Sequence, residues 1–270
     1  MINCQDKIKV SPMKILVTND DGILAPGLWT LVKTLKKIAR VTVVTPDREQ
    51  SAIGTAVTLR QPLRIQKVRS PVPEVETYSV EGTPTDSVIL ALAKLVKNKI
   101  DLVVSGINHG ANLGDDVLIS GTVSAALHGY LHGFPAIAIS MDGVDSPYLD
   151  TAAELAALLA KRIEANSLPP NILLNVNLPD LPLARIKGEE ITHVASSSHT
   201  DDVKEGHDGR HKYYWLLRQR INRNAAQQTD IWAIEQGNIS ITPLHAGLSS
   251  SPLPPIADSF CADLFQELQP

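Results

Sequence analysis

Lys14-Ile-Leu-Val-Thr-Asn-Asp-Asp-Gly22 is the stretch whose reading decides the fold. Ile15, Leu16 and Val17 form a short apolar run of the kind found in buried parallel strands, and the polar residues follow where such a strand leaves its sheet. In an open parallel sheet, ligands bind beyond the carboxyl ends of the strands. Asp20 and Asp21 would stand there side by side, and two adjacent carboxylates repel unless a cation lies between them or one keeps its proton. On a pleated strand they would face opposite ways, whereas a turn eased by Gly22 can aim both at one point. An Asx-type turn capping a helix is the plainer alternative for Asp-Asp-Gly.

Working outward, Pro26-Gly27 opens a segment with Leu28, Leu31, Val32, Leu35 and Ile38 at helical spacing, and Lys33, Lys36 and Lys37 fall on the other side. Val41 to Thr45 is a second strand, so strand, helix and strand make a right-handed βαβ unit. Ser51 to Thr58 reads as a loop, Leu59 to Val68 as extended chain, and Tyr78 to Val80 as strand. Gly82-Thr-Pro-Thr-Asp86 has the caps of a helix carrying Val88, Ile89, Leu92, Leu95 and Val96. Asp101 to Ser105 is a short buried strand running into a loop, Gly106 to Asp116, and Ser120-Gly-Thr122 starts the next helix. Pro135 to Ile139 and Asn171 to Val176 read as strands around a helix from Asp150 to Ala165. This alternation specifies an α/β fold with a mainly parallel sheet.

The remainder is less regular. Ile186 to Val194 reads as a strand, Ser196 to Lys212 as a polar loop, and Tyr213 to Leu217 as an aromatic strand, the two strands forming a protruding hairpin. Ile239 to Pro243 is a further strand. Pro252 to Pro255 lead to a terminal helix, Asp258 to Leu268, suited either to exchange between subunits or to packing on its own chain.

The 270 residues suffice for a sizeable core, and 43% hydrophobic with 20% charged residues is the composition of a water-soluble globular protein. A net charge of −4 offers no basic field for a nucleic-acid duplex. Cys4 and Cys261 are too few for a disulfide framework or a thiolate metal site. No apolar run approaches the roughly 18 residues of a membrane span. Met1 to Pro12 lack an apolar signal core, so they read as an extension, with Met13 a second possible start and a reducing cytoplasm the expected compartment.

Three loops are expected at the carboxyl edge of the sheet: Asn19 to Gly22, Asp47 to Gly54 and Gly106 to Asp116. They offer carboxylates, hydroxyls and carboxamides with a single histidine, His109, and all-oxygen ligation suits Mg²⁺ or Mn²⁺ rather than zinc. Ser120-Gly121-Thr122 adds a helix N-terminus with free N–H groups and two hydroxyls, a phosphate cradle. Asp115 and Asp116 are read either as loop-bracing residues or as ligands, Arg48 as a partner for Asp47, Asp86 as a helix-start residue and His245 as structural. His199, His207 and His211 are assigned to a polar loop.

Asn19-Asp-Asp-Gly22, Pro46-Asp-Arg48 with Ser51, Gly82-Thr-Pro-Thr-Asp86, Ser105-Gly-Ile-Asn108, Asn112-Leu-Gly-Asp-Asp116, Ser120-Gly-Thr-Val123 and Ser240-Ile-Thr-Pro-Leu244, in this order, resemble the survival-protein SurE family. The likeness runs from about Met13 to Leu244. It implies a metal-dependent 5′/3′-nucleotidase that hydrolyses nucleoside monophosphates, some members also trimming short polyphosphate, with one Mg²⁺ or Mn²⁺ per subunit. It further implies a Rossmann-like three-layer αβα core over residues 13–185. Residues 186–270 would be a smaller C-terminal part holding the extended hairpin and terminal helix, with the strand near 239–243 returning to the core. Homodimers or homotetramers would be joined through that part. Carried over motif by motif, the metal ligands would be Asp20, Asp21, Ser51 and Asn108, with the two aspartates also catalytic, and Ser120, Gly121 and Thr122 would hold phosphate. Asn19 and His109 are further candidates. The sequence departs from the family at Gly209-Arg-His-Lys-Tyr-Tyr-Trp215, where a more proline-rich turn is expected, and at Asn238, where an aromatic is common. Two rivals are an aspartyl-phosphate enzyme, which would need a lysine that Ser105 to Asn108 does not supply, and a nucleotide-sensing module, for which no Gly-x-Gly-x-x-Gly turn is present.

Overall fold

β1 (Lys14–Thr18) lies at the middle of the molecule, and its alternation builds both faces of the core. Ile15 and Val17 enter one apolar cluster while Leu16 enters the other, as a strand covered on both faces requires. The computed structural model describes residues 12–96, 100–196, 199–220 (side chains to 218) and 225–247. The expected terminal helix, Cys4, Cys261 and the first eleven residues lie outside these.

After β1 come α1 (Pro26–Leu35), β2 (Arg40–Pro46), β3 (Ile65–Val68), β4 (Glu76–Val80) and α2 (Pro84–Leu90), which continues as a wider turn through Ala91–Leu95. There follow β5 (Leu102–His109), α3 (Asp116–Ile119), α4 (Gly121–Leu131), β6 (Ala136–Asp142), α5 (Leu149–Glu164) and β7 (Leu173–Pro179). The chain then forms β8 (Glu189–Ile191), β9 (His199–His207), β10 (Lys212–Arg220), α6 (Asp230–Glu235) and β11 (Ile239–Leu244).

The main sheet has nine strands in the order β3-β4-β2-β1-β5-β6-β7-β11-β8. Its central six, β4-β2-β1-β5-β6-β7, are mutually parallel. Numbered along the chain they read 3-2-1-4-5-6, the Rossmann order, so the direction of winding reverses between β1 and β5. A crevice must open there at the carboxyl edge. β3 and β11 pair antiparallel at the two sides, and β8 pairs parallel with β11.

Helices cover both faces. α1 turns Leu28, Leu31, Val32 and Leu35 inward beside the alanine face of α5, Ala152, Ala153, Ala156 and Ala160. α2 and α4 lie on the other face with Val88, Val123, Ala125 and Ala126. Each fully buried leucine contributes about 1.5–3 kcal/mol of transfer free energy. α2 is capped as expected: the Thr83 hydroxyl accepts from Asp86 N–H, and the Asp86 carboxylate accepts from Thr83 N–H and from the Thr58 hydroxyl and N–H.

Three expectations are corrected. The strand expected to end at Ser105 runs on to His109, with a register shift at Gly106/Asn108 where the Gly106–Ile107 peptide is cis. The extended chain expected over Leu59 to Val68 is strand only from Ile65. The hairpin is real, but its partners are β9 and β10, paired antiparallel from Lys212↔His207 to Arg220↔His199. Within the segment assigned to a polar loop, His199–His207 is therefore strand, and the region from Ile186 to Val194 instead contributes β8 to the main sheet. β9 and β10 form a separate two-stranded sheet that leaves Tyr213, Tyr214, Trp215 and Leu216 exposed. Among the described residues no helix is long and apolar enough to cross a membrane.

Candidate active site

The loops leaving β1, β2 and β5 are stitched together before any side chain is considered. Ile23 N–H donates to Pro46 O at 3.0 Å, and Gln50 N–H donates to Asp20 O at 2.8 Å, tying the β2 loop to the acidic turn. Gly22 has φ +86°, and a Cβ there would stand 2.7 Å from the Arg48 carbonyl carbon, so no other residue fits the turn without strain. Asn19 is fully buried behind it: its amide donates to Gly22 O at 3.0 Å, and its Oδ1 accepts from the Thr45 hydroxyl. Asn19 is thus a scaffold of the turn.

Within this frame the two aspartates part. Asp20, 5% exposed, accepts from the Thr122 hydroxyl at the start of α4, and a Cβ on Gly121 would come 2.7 Å from the Asp20 Cβ. Asp21 accepts instead from the backbone N–H of His109, at the end of β5, at 3.3 Å. Burial holds the Asp20 carboxyl above its ordinary range, against the lowering effect of Thr122. Asp21 is pushed up to about 6, first by burial and next by the charge of Asp20. The carboxylate of Glu49 adds to both shifts, while His109 opposes that of Asp21. Both groups therefore favour a proton, or any cation able to replace one.

A pocket of about 180 Å³ opens beside them, lined by Asp20, Ser51, Asn108, His109, Asp116 and Ser120 among others. Two roomier clefts, of about 500 and 540 Å³, lie by Met13, Asp101 and Phe134 at the amino edge of the sheet and by Asp142, Arg185 and Lys187 beyond β6 and β7. Neither holds the Asp20 donor set, so size does not mark the chemistry here. Asn108 commits its Nδ2 to Gly110 O at 2.8 Å, and Ser51 donates to Glu49 Oε1 at 2.5 Å. Ser120 caps α4, its hydroxyl accepting from Val123 N–H at 3.1 Å. The pocket thus gathers Asp20, Ser51, Asn108, His109 and Ser120, with Asp21 joined through His109, whereas the Thr122 hydroxyl is spent on Asp20 and Gly121 provides clearance. Carboxylate, hydroxyl and carboxamide oxygens without a thiolate fit a hard divalent cation.

Sequence reasoning missed the groups that hold the pocket's far wall. Asn112 N–H donates to Asn177 Oδ1 at 2.8 Å and its Nδ2 to Ser140 Oγ at 2.9 Å, while Asn175 Nδ2 donates to Asn112 O at 2.8 Å. Asp230, fully buried at the start of α6, accepts from Gly114 N–H at 2.8 Å and Ala195 N–H at 3.0 Å. Asp115, Asp116 and His199 have ligand-type atoms within 4.8 Å of one another. Arg218 of β10 lies on the same carboxylates, with Nη1 2.8 Å from Asp116 and Nη2 3.6 Å from Asp115. His199 Nδ1 is 2.9 Å from Asp116, so His199 and Arg218 together brace the hairpin against the loop that carries Asp115 and Asp116. A lone charged residue such as Arg218 or Asp230 gives no sign in sequence of which distant loop it reaches.

Residues 15–201 match the family described as survival protein SurE. A 5′-nucleotidase SurE of Dehalococcoides mccartyi (strain CBDB1) is 54% identical over 254 residues, 93% of this chain and 96% of that protein. A 5′-nucleotidase SurE of Legionella pneumophila (strain Paris) is 47% identical over 238 residues, 88% and 92% of the two chains. The crystal structure of the SurE protein from Aquifex aeolicus superposes with a TM-score of 0.76 at 36% identity, covering 88% of this chain and 96% of that one.

Proposed function

The chain belongs to the survival protein SurE family, and on that premise we propose that it is a divalent-metal-dependent phosphomonoesterase acting on nucleoside 5′- and 3′-monophosphates. The observation that carries this reading is the pair of proton-favouring carboxylates, buried Asp20 and half-buried Asp21, beside a pocket whose other oxygens come from Ser51 and Asn108. Two adjacent acids would repel a phosphate dianion, and a divalent cation held between them cancels their charge.

In this reading Asp20, Asp21, Ser51 and Asn108 hold one Mg²⁺ or Mn²⁺. Such an ion, when bound, polarises a phosphoryl oxygen and makes a water acidic enough to serve as nucleophile at neutral pH. Ser51 and Asn108, being neutral donors, keep the net charge of the site low enough for a dianion to enter. Thr122 fixes the Asp20 carboxylate by its hydroxyl, and Asp21 is aimed by His109 N–H. The carboxylate that keeps a hydrogen-bonding edge toward water steers the attack and takes its proton. Ser120 and the first N–H groups of α4, at Gly121 and Thr122, receive the phosphoryl oxygens, where backbone dipoles favour negative charge. His109, at the lip of the pocket, is a further donor to phosphate. Most of the rate then comes from fixed charge and positioning, as in phosphoryl transfer generally. Short polyphosphate, whose terminal group is chemically similar, is a secondary substrate. The exposed aromatic hairpin is the joint of a homodimer or homotetramer.

The test is inorganic phosphate release from a panel of nucleoside 5′- and 3′-monophosphates and short polyphosphate, with Mg²⁺, Mn²⁺ or chelator. Turnover that needs the metal supports the reading. Metal-dependent nucleotide binding without release would mark a sensing module instead, and a trapped phosphoaspartate would mark a different hydrolytic class.

A further inference from the structure

We propose that Arg218, on the hairpin strand β10, is a positioning residue that supplies the counter-charge allowing an anionic substrate to enter beside Asp116; this rests on the phosphomonoesterase reading above. Asp116 lines the same pocket as Asp20, Ser51, Asn108 and Ser120. Its side chain is 15% exposed, so its charge is poorly screened by water. It also begins the single turn α3, whose far end is Ser120: Ser120 N–H donates to Asp116 O at 2.9 Å. A carboxylate in this position works against a phosphate dianion unless a cation sits on its outer side.

Arg218 is that cation. Its Nη1 is 2.8 Å from Asp116 Oδ1, its Nη2 3.6 Å from Asp115 Oδ2, and its Nε 3.1 Å from Asp201 Oδ1 of β9. One permanently charged fork therefore serves two carboxylates of the pocket loop and one of the hairpin. His199 Nδ1, 2.9 Å from Asp116 Oδ2, completes the brace but carries charge only when protonated. Among the described residues, the strands of the hairpin pair with each other alone, as a separate sheet. At its base, Arg218 and His199 hold Asp116, which lines the pocket, so the hairpin reaches the site through that carboxylate as well as projecting from it.

The experiment uses the full chain. Wild type, Arg218→Ala, Arg218→Lys and the double variant Arg218→Ala/Asp116→Asn are compared for KM and kcat with AMP, for inhibition by inorganic phosphate, and for Mn²⁺ binding by electron paramagnetic resonance. Arg218→Ala is expected to raise KM and the phosphate inhibition constant roughly 10-fold, as fits adding an unneutralised charge a few ångströms from a dianion in a partly screened site. Mn²⁺ binding should stay as in wild type, and kcat should change less than KM. Arg218→Lys should keep most of the phosphate affinity. The double variant should recover affinity lost by Arg218→Ala, because removing the Asp116 charge removes what Arg218 offsets. A loss confined to stability or kcat, or a double variant as weak as Arg218→Ala, overturns the proposal. Should Arg218→Ala not fold, Arg218→Lys and Arg218→Gln carry the same comparison. If wild type releases no phosphate, the phosphomonoesterase reading fails, whereas a wild type with turnover and an unaffected Arg218→Ala sinks only this inference.

Discussion

The Asp20 carboxylate accepts a hydrogen bond from the hydroxyl of Thr122, 102 residues further along the chain. That contact joins the exit of β1 to the first turn of α4, the two places where the proposed metal and phosphate sites lie. It is buried at both ends, so its loss and the loss of the charge can be told apart. Asp20→Asn keeps an acceptor oxygen for Thr122 and removes the charge. Phosphate release from AMP should fall by about 10³-fold or more, while the melting temperature moves little. Asp20→Ala should match that activity loss and also destabilise the fold by about 1–3 kcal/mol, the cost of stranding a buried hydroxyl. Both variants are checked by a phosphate assay at saturating Mn²⁺ and by chemical denaturation. Asp20→Asn with near-native turnover would remove Asp20 from the machinery.

The raised Asp21 carboxyl sets a pH dependence whose sign can be worked out. In the folded, metal-free chain it titrates at about 6 against an ordinary 3.8, so between those values the native state holds the extra proton. Stability from this group is greatest below about pH 4 and is lost as pH rises to about 6. The unfolding free energy of wild type minus that of Asp21→Asn, measured in chelator, should fall across that window. Saturating Mn²⁺ should stabilise wild type more at pH 7.5 than at pH 5, since metal and proton compete for the same oxygens. A difference that rises with pH would contradict the assignment.

Gly121 occupies the first position of α4, where alanine is ordinarily the better helix former. Here a Cβ would stand 2.7 Å from the Asp20 Cβ and 2.9 Å from Asp20 Oδ2. Gly121→Ala must therefore move Asp20 or the end of the helix. The expected result is destabilisation of about 1–3 kcal/mol, the usual range for overpacking, together with a drop in turnover. A melt and an AMP assay on the same preparation check both, and an unchanged kcat would show that the contact does not set the carboxylate's position.

How much of this could be read from the sequence depends on whether the signal is local. β1, α1 and α5 carry their own periodicity, and the Thr83–Asp86 capping box is written in four consecutive residues. Asp20, Ser51 and Asn108 could be grouped in advance because each lies at or beyond the carboxyl end of a parallel strand, and that topology brings such positions to one edge. β9 was illegible for the opposite reason. His199-Thr-Asp-Asp-Val-Lys-Glu-Gly-His207 faces solvent almost throughout, so no apolar alternation marks it, and only its pairing with β10 makes it a strand. The continuation of β5 through Gly106 was hidden by a glycine that usually signals a turn. Arg218, Asp230 and Asn177 reach the pocket loop across long sequence separations, and no spacing rule points from one to the other.

The hairpin makes the last prediction, because its two faces are exposed for different residues. Tyr213 and Trp215 stand on one face, their rings edge to face at 6.5 Å. Leu216, on the other face and 79% exposed, is opposite Val203 of β9. A two-stranded ribbon is marginal by itself in water, and a ribbon that exposes aromatic and apolar side chains on both faces is usually covered by another chain. If a second copy covers it, wild type should run as two or four chains in light scattering after size exclusion. Trp215→Glu/Leu216→Glu, which charges both faces, should run as one. Because neither residue touches the pocket, the variant's Mn²⁺ affinity should match wild type, which separates a lost interface from a lost fold. A wild type already monomeric at micromolar concentration would rule out the self-association reading, and an oligomer untouched by the double substitution would move the interface elsewhere on the molecule.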